Sequence, residues 1–227
     1  MRFADLRYHF QPIVHLGSGE PVGYEALLRP RGGSPGAFLA TLHAEGDGAC
    51  RAFDAGSVPA ACRDAAPWIG GRRLFVNVTA ATVASVAAGE GWPATGGLNV
   101  VWEIPETEGA VRELPRPGGL ANLTAGGAEI AMDDLGAGWA DLQRLAVAGP
   151  ECWLKIDRAI IHELPGARAA AILRAIGRSG PRVIAEGIET QEQLRLVQES
   201  GIPYGQGFLL DAMQQDRWRL PVQAVGG

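Results

Sequence analysis

Five short apolar segments of this sequence each end in a carboxylate or an amide, and they recur at the spacing of a β/α unit. They are Phe75-Val76-Asn77, Val101-Trp102-Glu103, Ala131-Met132-Asp133-Asp134, Leu154-Lys155-Ile156-Asp157 and Ile184-Ala185-Glu186. Their polar positions lie 26, 30, 22 and 31 residues apart. A (β/α)₈ barrel of the TIM type allots roughly 30 residues to each repeat, and its strands end at one mouth. The spacing therefore predicts such a barrel, with the polar side chains gathered at one end.

Length, composition and charge indicate a single globular domain whose main partner is not DNA. A chain of 227 residues with 47% hydrophobic and 20% charged residues is predicted to be globular. The evenly spaced strand ends favour one domain over residues 1–227. The net charge of −5 and the pI near 5.4 argue against DNA as the main partner, because nucleic-acid binders normally carry a basic stripe.

The sequence contains no signal for export or membrane insertion. Its first residues lack the apolar core of a signal peptide, and there is no apolar run of about 18 residues to span a bilayer. We therefore expect a cytoplasmic protein without membrane contact. Cys50, Cys62 and Cys152 are widely spaced and are predicted to be packing residues.

Local patterns place the remaining elements. Strands are predicted at residues 9–14 and 22–28, with a turn at 17–20, and residues 31–36 are predicted to form a surface loop. The best helix runs from Thr190 to Ser200, because Thr190 and Gln193 form a capping box and Gly201 suits the residue after the last turn. Further helices are predicted at residues 169–176 and 79–88.

Barrel closure would bring an unusual set of oxygen ligands together. The candidate ligands are Glu25, Asn77, Glu103, Asp133, Asp134 and Glu186. Five carboxylates in a small space must take up protons or bind cations. Hard oxygen ligands without His or Cys favour Mg²⁺ or Mn²⁺, and this many carboxylates suit two ions.

Two such ions can activate water for an in-line displacement at phosphorus, which is the chemistry of phosphodiester hydrolysis. Lys155 would orient that water or move its proton, although two metals alone could suffice. A single carboxylate at a strand end more often caps a helix or holds a loop, and this reading stays open for Asp157 and Glu106. This structural interpretation is poor for the candidate ligands taken together. The adjacent carboxylates of Asp133 and Asp134 would destabilise the fold unless a cation lay between them.

Seven sequence motifs follow one another along the chain. The first is Gly23-Tyr24-Glu25-Ala26-Leu27-Leu28-Arg29. The others are Phe75-Val76-Asn77-Val78, Glu103-Ile104-Pro105-Glu106, Asp133-Asp134-Leu135-Gly136-Ala137-Gly138, Lys155-Ile156-Asp157, Ala185-Glu186-Gly187-Ile188-Glu189-Thr190 and Gln206-Gly207-Phe208. Together and in this order, they closely resemble the motifs of the EAL family of cyclic di-GMP phosphodiesterases, whose signature tripeptide corresponds to Glu25-Ala26-Leu27.

The resemblance implies a modified (β/α)₈ barrel with its first strand antiparallel, and hydrolysis of cyclic di-GMP to linear 5′-pGpG with Mg²⁺ or Mn²⁺. Ca²⁺ is expected to bind without supporting catalysis. A homodimer is also implied, and a regulatory protein or a separate sensor domain would control activity. The implied catalytic residues are Lys155, Glu25, Glu189 and Asp134. The implied substrate contacts are Arg29, Gln206, Asp157 and Leu28. Glu106 is implied to anchor the loop after Asp134.

Two other classes of function remain as alternatives. One is a receptor that binds cyclic di-GMP without cutting it and acts through a protein partner; degenerate relatives of that kind usually lack some of the acids, all of which are present here. The other is an interaction domain that only keeps the fold. The sequence departs from the family at His15, which replaces the usual Asp, and in residues 209–213, which lack the usual Pro.

Overall fold

The computed structural model describes residues 6–31, 34–106, 119–136, 151–178, 180 and 182–219. Within them, eight strands close into a barrel in sequence order. The strands are β1 (Arg7–His15), β2 (Glu20–Arg29), β3 (Arg73–Asn77), β4 (Val100–Ile104), β5 (Glu129–Leu135), β6 (Trp153–Ile156), β7 (Val183–Ala185) and β8 (Tyr204–Gly205). The predicted barrel is confirmed, and each polar segment end lies within two residues of the end of a strand.

Strand β1 runs opposite to the other seven. It pairs antiparallel with β2 and with β8, whereas β2 to β8 pair in parallel. The cause is local, because only four residues separate β1 from β2, and a parallel pair needs a crossover of a dozen or more. Gly19, with a φ of 71°, completes this tight turn. The antiparallel first strand that the resemblance implied is confirmed.

Helices surround the barrel. They are α1 (Pro35–Ala44), α2 (Asp47–Ala65), α3 (Ala80–Ala87), α4 (Gly119–Leu123), α5 (Ala159–His162), α6 (Gly166–Gly177), α7 (Gln191–Glu199) and α8 (Phe208–Arg219). A short 3₁₀ turn lies at Ala125–Gly127. None of the helices in the described ranges has both the length and the hydropathy to cross a membrane.

The predicted helices are confirmed with small changes of boundary. The capping box of α7 forms between Thr190 and Gln193, and Gly201 follows with a φ of 78°. The predicted loop over residues 31–36 is wrong at its end, because α1 begins at Pro35. Ser34 caps that helix by accepting from the Ala37 N–H, and proline suits the first helical position.

The inside of the barrel is built in layers. An apolar layer contains Ile13, Phe75, Val101, Ala131, Trp153 and Ile184, all at most 2% exposed. Side chains two residues apart on a strand point to the same face. Residues two positions beyond this layer on the parallel strands therefore also point inwards, nearer the carboxyl end. These are Asn77, Glu103, Asp133, Lys155 and Glu186.

A polar cluster closes the opposite end of the barrel. Glu129 accepts from Arg73 Nε at 3.0 Å, from Arg182 Nη1 at 2.9 Å and from the Trp153 indole N–H at 3.1 Å. Both guanidinium groups also lie over the Trp153 ring, 5.3 and 5.5 Å from its centroid. Burial would raise the pKa of Glu129, but these donors and charges outweigh it and hold the pKa below its usual value.

We expect Glu129→Gln to lower the free energy of unfolding by about 1 to 3 kcal/mol at pH 7, because the charge-assisted hydrogen bonds weaken. The folded pKa is depressed, so this stabilisation is present above the usual glutamate pKa of 4.5 and is lost as the pH falls through the folded value. Urea unfolding of both proteins at a series of pH values measures the difference. A difference in the free energy of unfolding that grows as the pH falls would contradict the lowered pKa of Glu129 in the folded protein.

Candidate active site at the carboxyl end of the barrel

Lys155 lies at the centre of the polar layer and is the only lysine in the sequence. Its Nζ lies 2.7 Å from Glu103 Oε1, 2.8 Å from Glu186 Oε1, 3.0 Å from Asp133 Oδ1 and 3.4 Å from Glu25 Oε2. The side chain is 1% exposed. One ammonium thus contacts carboxylates from four different β/α units of the barrel, which agrees with the predicted convergence of the acidic residues.

Glu25 is held by amide donors on both of its oxygens. Asn77 Nδ2 donates to Oε1 at 2.8 Å, and Gln206 Nε2 donates to Oε2 at 2.6 Å. Burial alone would raise the pKa of Glu25, but Lys155 and these donors outweigh burial and keep the pKa below its usual value. Glu25 is therefore a fixed, charged carboxylate in the site.

The two adjacent aspartates reach the same site because β5 is irregular there. Successive residues of a regular strand would point to opposite faces. The pairing of β5 with β6 shifts between Met132 and Leu135, and Asp134 takes a φ of 53°, the only positive φ at a non-glycine position among the described residues. Ligand oxygens of Asp133, Asp134 and Glu186 consequently lie within 4.8 Å of one another. Such strain at a carboxylate is typical of functional sites.

Several of these carboxylates resist ionisation when no cation other than Lys155 is close. Burial and the charge of Glu25 raise the pKa of Glu103 well above its usual value. Burial, opposed by Lys155 and reinforced by Asp133, raises the pKa of Glu186 to about 8. Burial and the charge of Asp133 raise the pKa of Asp134 to about 6. Full ionisation of the cluster would therefore create an excess of negative charge, which divalent cations would relieve.

The residues present fit divalent cations in a second respect. Within the described ranges, Glu103 Oε2 is buried and receives no hydrogen bond. A buried carboxylate oxygen without a donor is costly, and coordination of a cation would satisfy it. The donor set is carboxylate and amide oxygen, which suits magnesium or manganese.

A glycine fixes two of the loops that carry site residues. Gly207 has a φ of 151°, and a Cβ atom there would lie 2.3 Å from the backbone of Ile188. The Ile188 N–H donates to the Gln206 carbonyl, and the Leu209 N–H donates to the Ile188 carbonyl. The loop after Glu186 is thereby clamped to the loop that carries Gln206, so both side chains are held by backbone contacts.

The remaining predicted residues lie around this centre rather than in it. Arg29 is exposed, donates to the Leu28 carbonyl at 3.1 Å, and lines a cavity of about 600 Å³ together with Leu28 and Asn77. Asp157 Oδ1 accepts from the Ala159 N–H at 2.6 Å and so caps the start of α5. Its charge, like that of Glu106, still raises the pKa of Asp134.

Glu189 is exposed, and its backbone N–H donates to Gln193 Oε1 beside the capping box. The catalytic role that the resemblance implied for Glu189 stays a prediction. Residues 137–150, the loop that Glu106 was predicted to anchor, lie outside the described residues.

Sequence reasoning missed three polar residues that support the site. Gln11 accepts from Gln206 Nε2 at 2.9 Å, and Asp211 accepts from Gln11 Nε2 at 2.9 Å. Asp54, which is 1% exposed, accepts from the Thr79 N–H and hydroxyl and from the Thr82 hydroxyl at the start of α3. The available signal was weak, since it consisted of polar residues inside otherwise apolar segments.

Comparison with known proteins agrees with the fold. The family profile described as the EAL domain matches residues 2–212. The chain therefore belongs to the EAL domain family. It is 31% identical over 223 residues to the Pseudomonas aeruginosa protein described as the bifunctional diguanylate cyclase/cyclic di-GMP phosphodiesterase MucR, covering 89% of this chain and 32% of MucR. It is 33% identical over 221 residues to an uncharacterized signaling protein of Caulobacter vibrioides, covering 91% of this chain and 27% of that protein.

Solved structures show the same relationship. The PaMucR phosphodiesterase in complex with c-di-GMP superposes with a TM-score of 0.73 at 30% identity, covering 91% of each chain. Klebsiella pneumoniae BlrP1 with calcium and cyclic di-GMP gives a TM-score of 0.73 at 29% identity, covering 90% of this chain and 55% of BlrP1. BlrP1 has also been crystallised with manganese and cyclic di-GMP. The chain spans roughly a quarter to a third of the length of the curated relatives named above.

Proposed function

We propose that this chain is a metal-dependent phosphodiesterase that hydrolyses cyclic di-GMP to linear 5′-pGpG. The observation that carries the proposal is the complete carboxylate layer around Lys155. When fully ionised, five carboxylates against one ammonium would leave four negative charges, which two divalent cations would balance. A domain that only kept the fold would be stabilised by losing these mutually repelling groups.

The ligand set divides into two neighbouring groups. Asp133, Asp134 and Glu186 would hold one Mg²⁺ or Mn²⁺ ion, since their oxygens already lie within 4.8 Å of one another. The oxygens of Glu25, Asn77 and Glu103 would contribute to a second ion. Ions bound there would supply the positive charge that lowers the pKa of water and stabilises the charge developing at phosphorus.

The chain's own residues would position the reacting groups. Lys155 keeps its proton, because the surrounding carboxylates, with Asp133 and Glu103 foremost, outweigh its burial and raise its pKa well above the usual value. Once divalent ions engage the carboxylates that it contacts here, its ammonium would orient a nucleophilic water by donating a hydrogen bond. Arg29, exposed beside the cavity, would bind a substrate phosphate or guanine, and Leu28 would pack against a base.

The direct test is incubation of purified protein with cyclic di-GMP and either Mg²⁺ or Mn²⁺, followed by chromatographic detection of 5′-pGpG. We expect product with either ion, none with excess chelator, and none with Ca²⁺ alone. Tight nucleotide binding without product in any metal would instead favour a receptor. Calorimetry showing no nucleotide binding at all would support a fold kept for protein interaction.

Four further features stay proposals. We propose that residues 1–227 form one EAL-type domain, which the match over residues 2–212 supports. Homodimerisation and control by a partner protein or a sensor domain rest on the family resemblance, whereas the proposed cytoplasmic location rests on the hydropathy pattern of the sequence. Sedimentation analysis with and without cyclic di-GMP would test the dimer.

A further inference from the structure

A chain of side-chain hydrogen bonds connects helix α8 to Glu25. Gln206 Nε2 donates both to Glu25 Oε2 at 2.6 Å and to Gln11 Oε1 at 2.9 Å. Gln11 Nε2 in turn donates to Asp211 Oδ2 at 2.9 Å. Asp211, in the first turn of α8, is thus connected through two amide side chains to a carboxylate that we propose binds metal.

The backbone places the members of this chain independently. Gln11 lies directly opposite Glu25 in the antiparallel β1–β2 ladder, so both side chains emerge on the same face of the sheet. Gln206 directly follows β8, and Gly207 leads from it into α8. The Asp211 side chain is only 11% exposed. The contacts therefore arise from fixed elements of the barrel.

The carboxylate of Asp211 determines which way the amides point. An ionised carboxylate only accepts hydrogen bonds, so it selects the Nε2 end of Gln11 and turns Oε1 towards Gln206. Rotating the Gln11 amide by 180° would place oxygen against oxygen at Asp211 and nitrogen against nitrogen at Gln206. Gln206 Nε2 must consequently donate both to Gln11 and to Glu25. Gln206 Oε1 is buried and receives no hydrogen bond from the described residues.

We infer that Asp211 is a positioning residue for the metal site: it fixes Gln11 and, through Gln206, the Glu25 carboxylate. This inference rests on the proposed function. Removing a residue that hydrogen-bonds a metal ligand and so orients it typically lowers metal affinity 10- to 100-fold. An acidic residue in the first turn of a helix also interacts favourably with the helix dipole, but that interaction stabilises the helix without affecting a metal ligand.

Titration calorimetry with Mn²⁺ alone separates these two roles. Asp211→Ala is expected to bind Mn²⁺ about 10-fold more weakly than the unaltered protein. Asp211→Asn should lose less Mn²⁺ affinity than Asp211→Ala, because its amide oxygen still accepts from Gln11. It serves as the test variant should the alanine variant not fold. Gln214→Ala is the matched control, since Gln214 anchors the same helix by donating to the Gly19 carbonyl at 2.8 Å. It should bind Mn²⁺ with unchanged affinity even if its thermal unfolding temperature falls.

A double-mutant cycle tests whether Asp211 acts through Gln11. In a Gln11→Leu background, Asp211→Ala should weaken Mn²⁺ binding no further, because the connection to Glu25 is already broken. Unchanged affinity in both Asp211 variants, or an undiminished effect of Asp211→Ala in the Gln11→Leu background, would overturn this inference and leave the proposed function intact. An unaltered protein that binds no Mn²⁺ would overturn both.

Discussion

Replacement of Glu25 by alanine is expected to lower the rate of cyclic di-GMP hydrolysis by at least about 100-fold and to weaken Mn²⁺ binding. Glu25 supplies one of the carboxylates of the site, and two amide donors and Lys155 hold it in place. The alanine variant lacks this carboxylate, so the proposed metal site loses a charged oxygen donor. The amide groups of Asn77 and Gln206 also lose the acceptor that they share. Formation of 5′-pGpG and calorimetric titration with Mn²⁺ measure the two effects.

Glu199→Ala is the control for that substitution, because it removes an exposed carboxylate on α7. It should leave both turnover and Mn²⁺ affinity unchanged. Normal turnover by Glu25→Ala would remove Glu25 from the proposed ligand set. Loss of turnover with unchanged Mn²⁺ affinity would assign Glu25 to catalysis but not to metal binding.

Removal of the Lys155 ammonium is expected to produce the largest change in stability. In Lys155→Met the carboxylates of Glu25, Glu103, Asp133 and Glu186 remain buried or partly buried without their common countercharge. Breaking a buried ion pair by removing one partner typically costs about 3 to 5 kcal/mol. Urea unfolding in the presence of a chelator should show a loss of that size.

Saturating Mn²⁺ should recover much of this loss, because the added cations replace the missing positive charge and bind only the folded protein. Arg195→Met removes an exposed cation from α7 and is expected to change the free energy of unfolding by less than about 0.5 kcal/mol. A Lys155→Met protein as stable as the unaltered one in metal-free buffer would show that the carboxylates do not depend on the ammonium.

The barrel could be predicted from sequence because its signal is periodic. Apolar segments ending at Asn77, Glu103 and Glu186 recur at the length of a β/α unit, and strand geometry then places their polar ends at one mouth. The direction of β1 came from the family resemblance, although the four-residue connection between His15 and Glu20 already excludes a crossover. The start of α1 was not predicted, because Ser34 and Pro35 lie in a segment rich in glycine and proline, and that composition favours a loop.

The site could be predicted in its composition but only partly in its geometry. The adjacency of Asp133 and Asp134 indicated a cation site, yet the shifted register and the positive φ that bring both into it depend on packing against β6. The link from Gln11 to Asp211 joins residues 200 positions apart and has no local pattern. Contacts of that kind are fixed only when the closed barrel brings its first strand against its last helix.

The reversed first strand also determines where the polypeptide enters the molecule. In an all-parallel barrel the amino-terminal end of the first strand lies at the end remote from catalysis. Here Arg7 pairs with Arg29 at the carboxyl end of β2, so the incoming backbone lies beside the rim that holds Glu25. A module fused upstream would therefore join the barrel on the side of the proposed active site rather than at the opposite end.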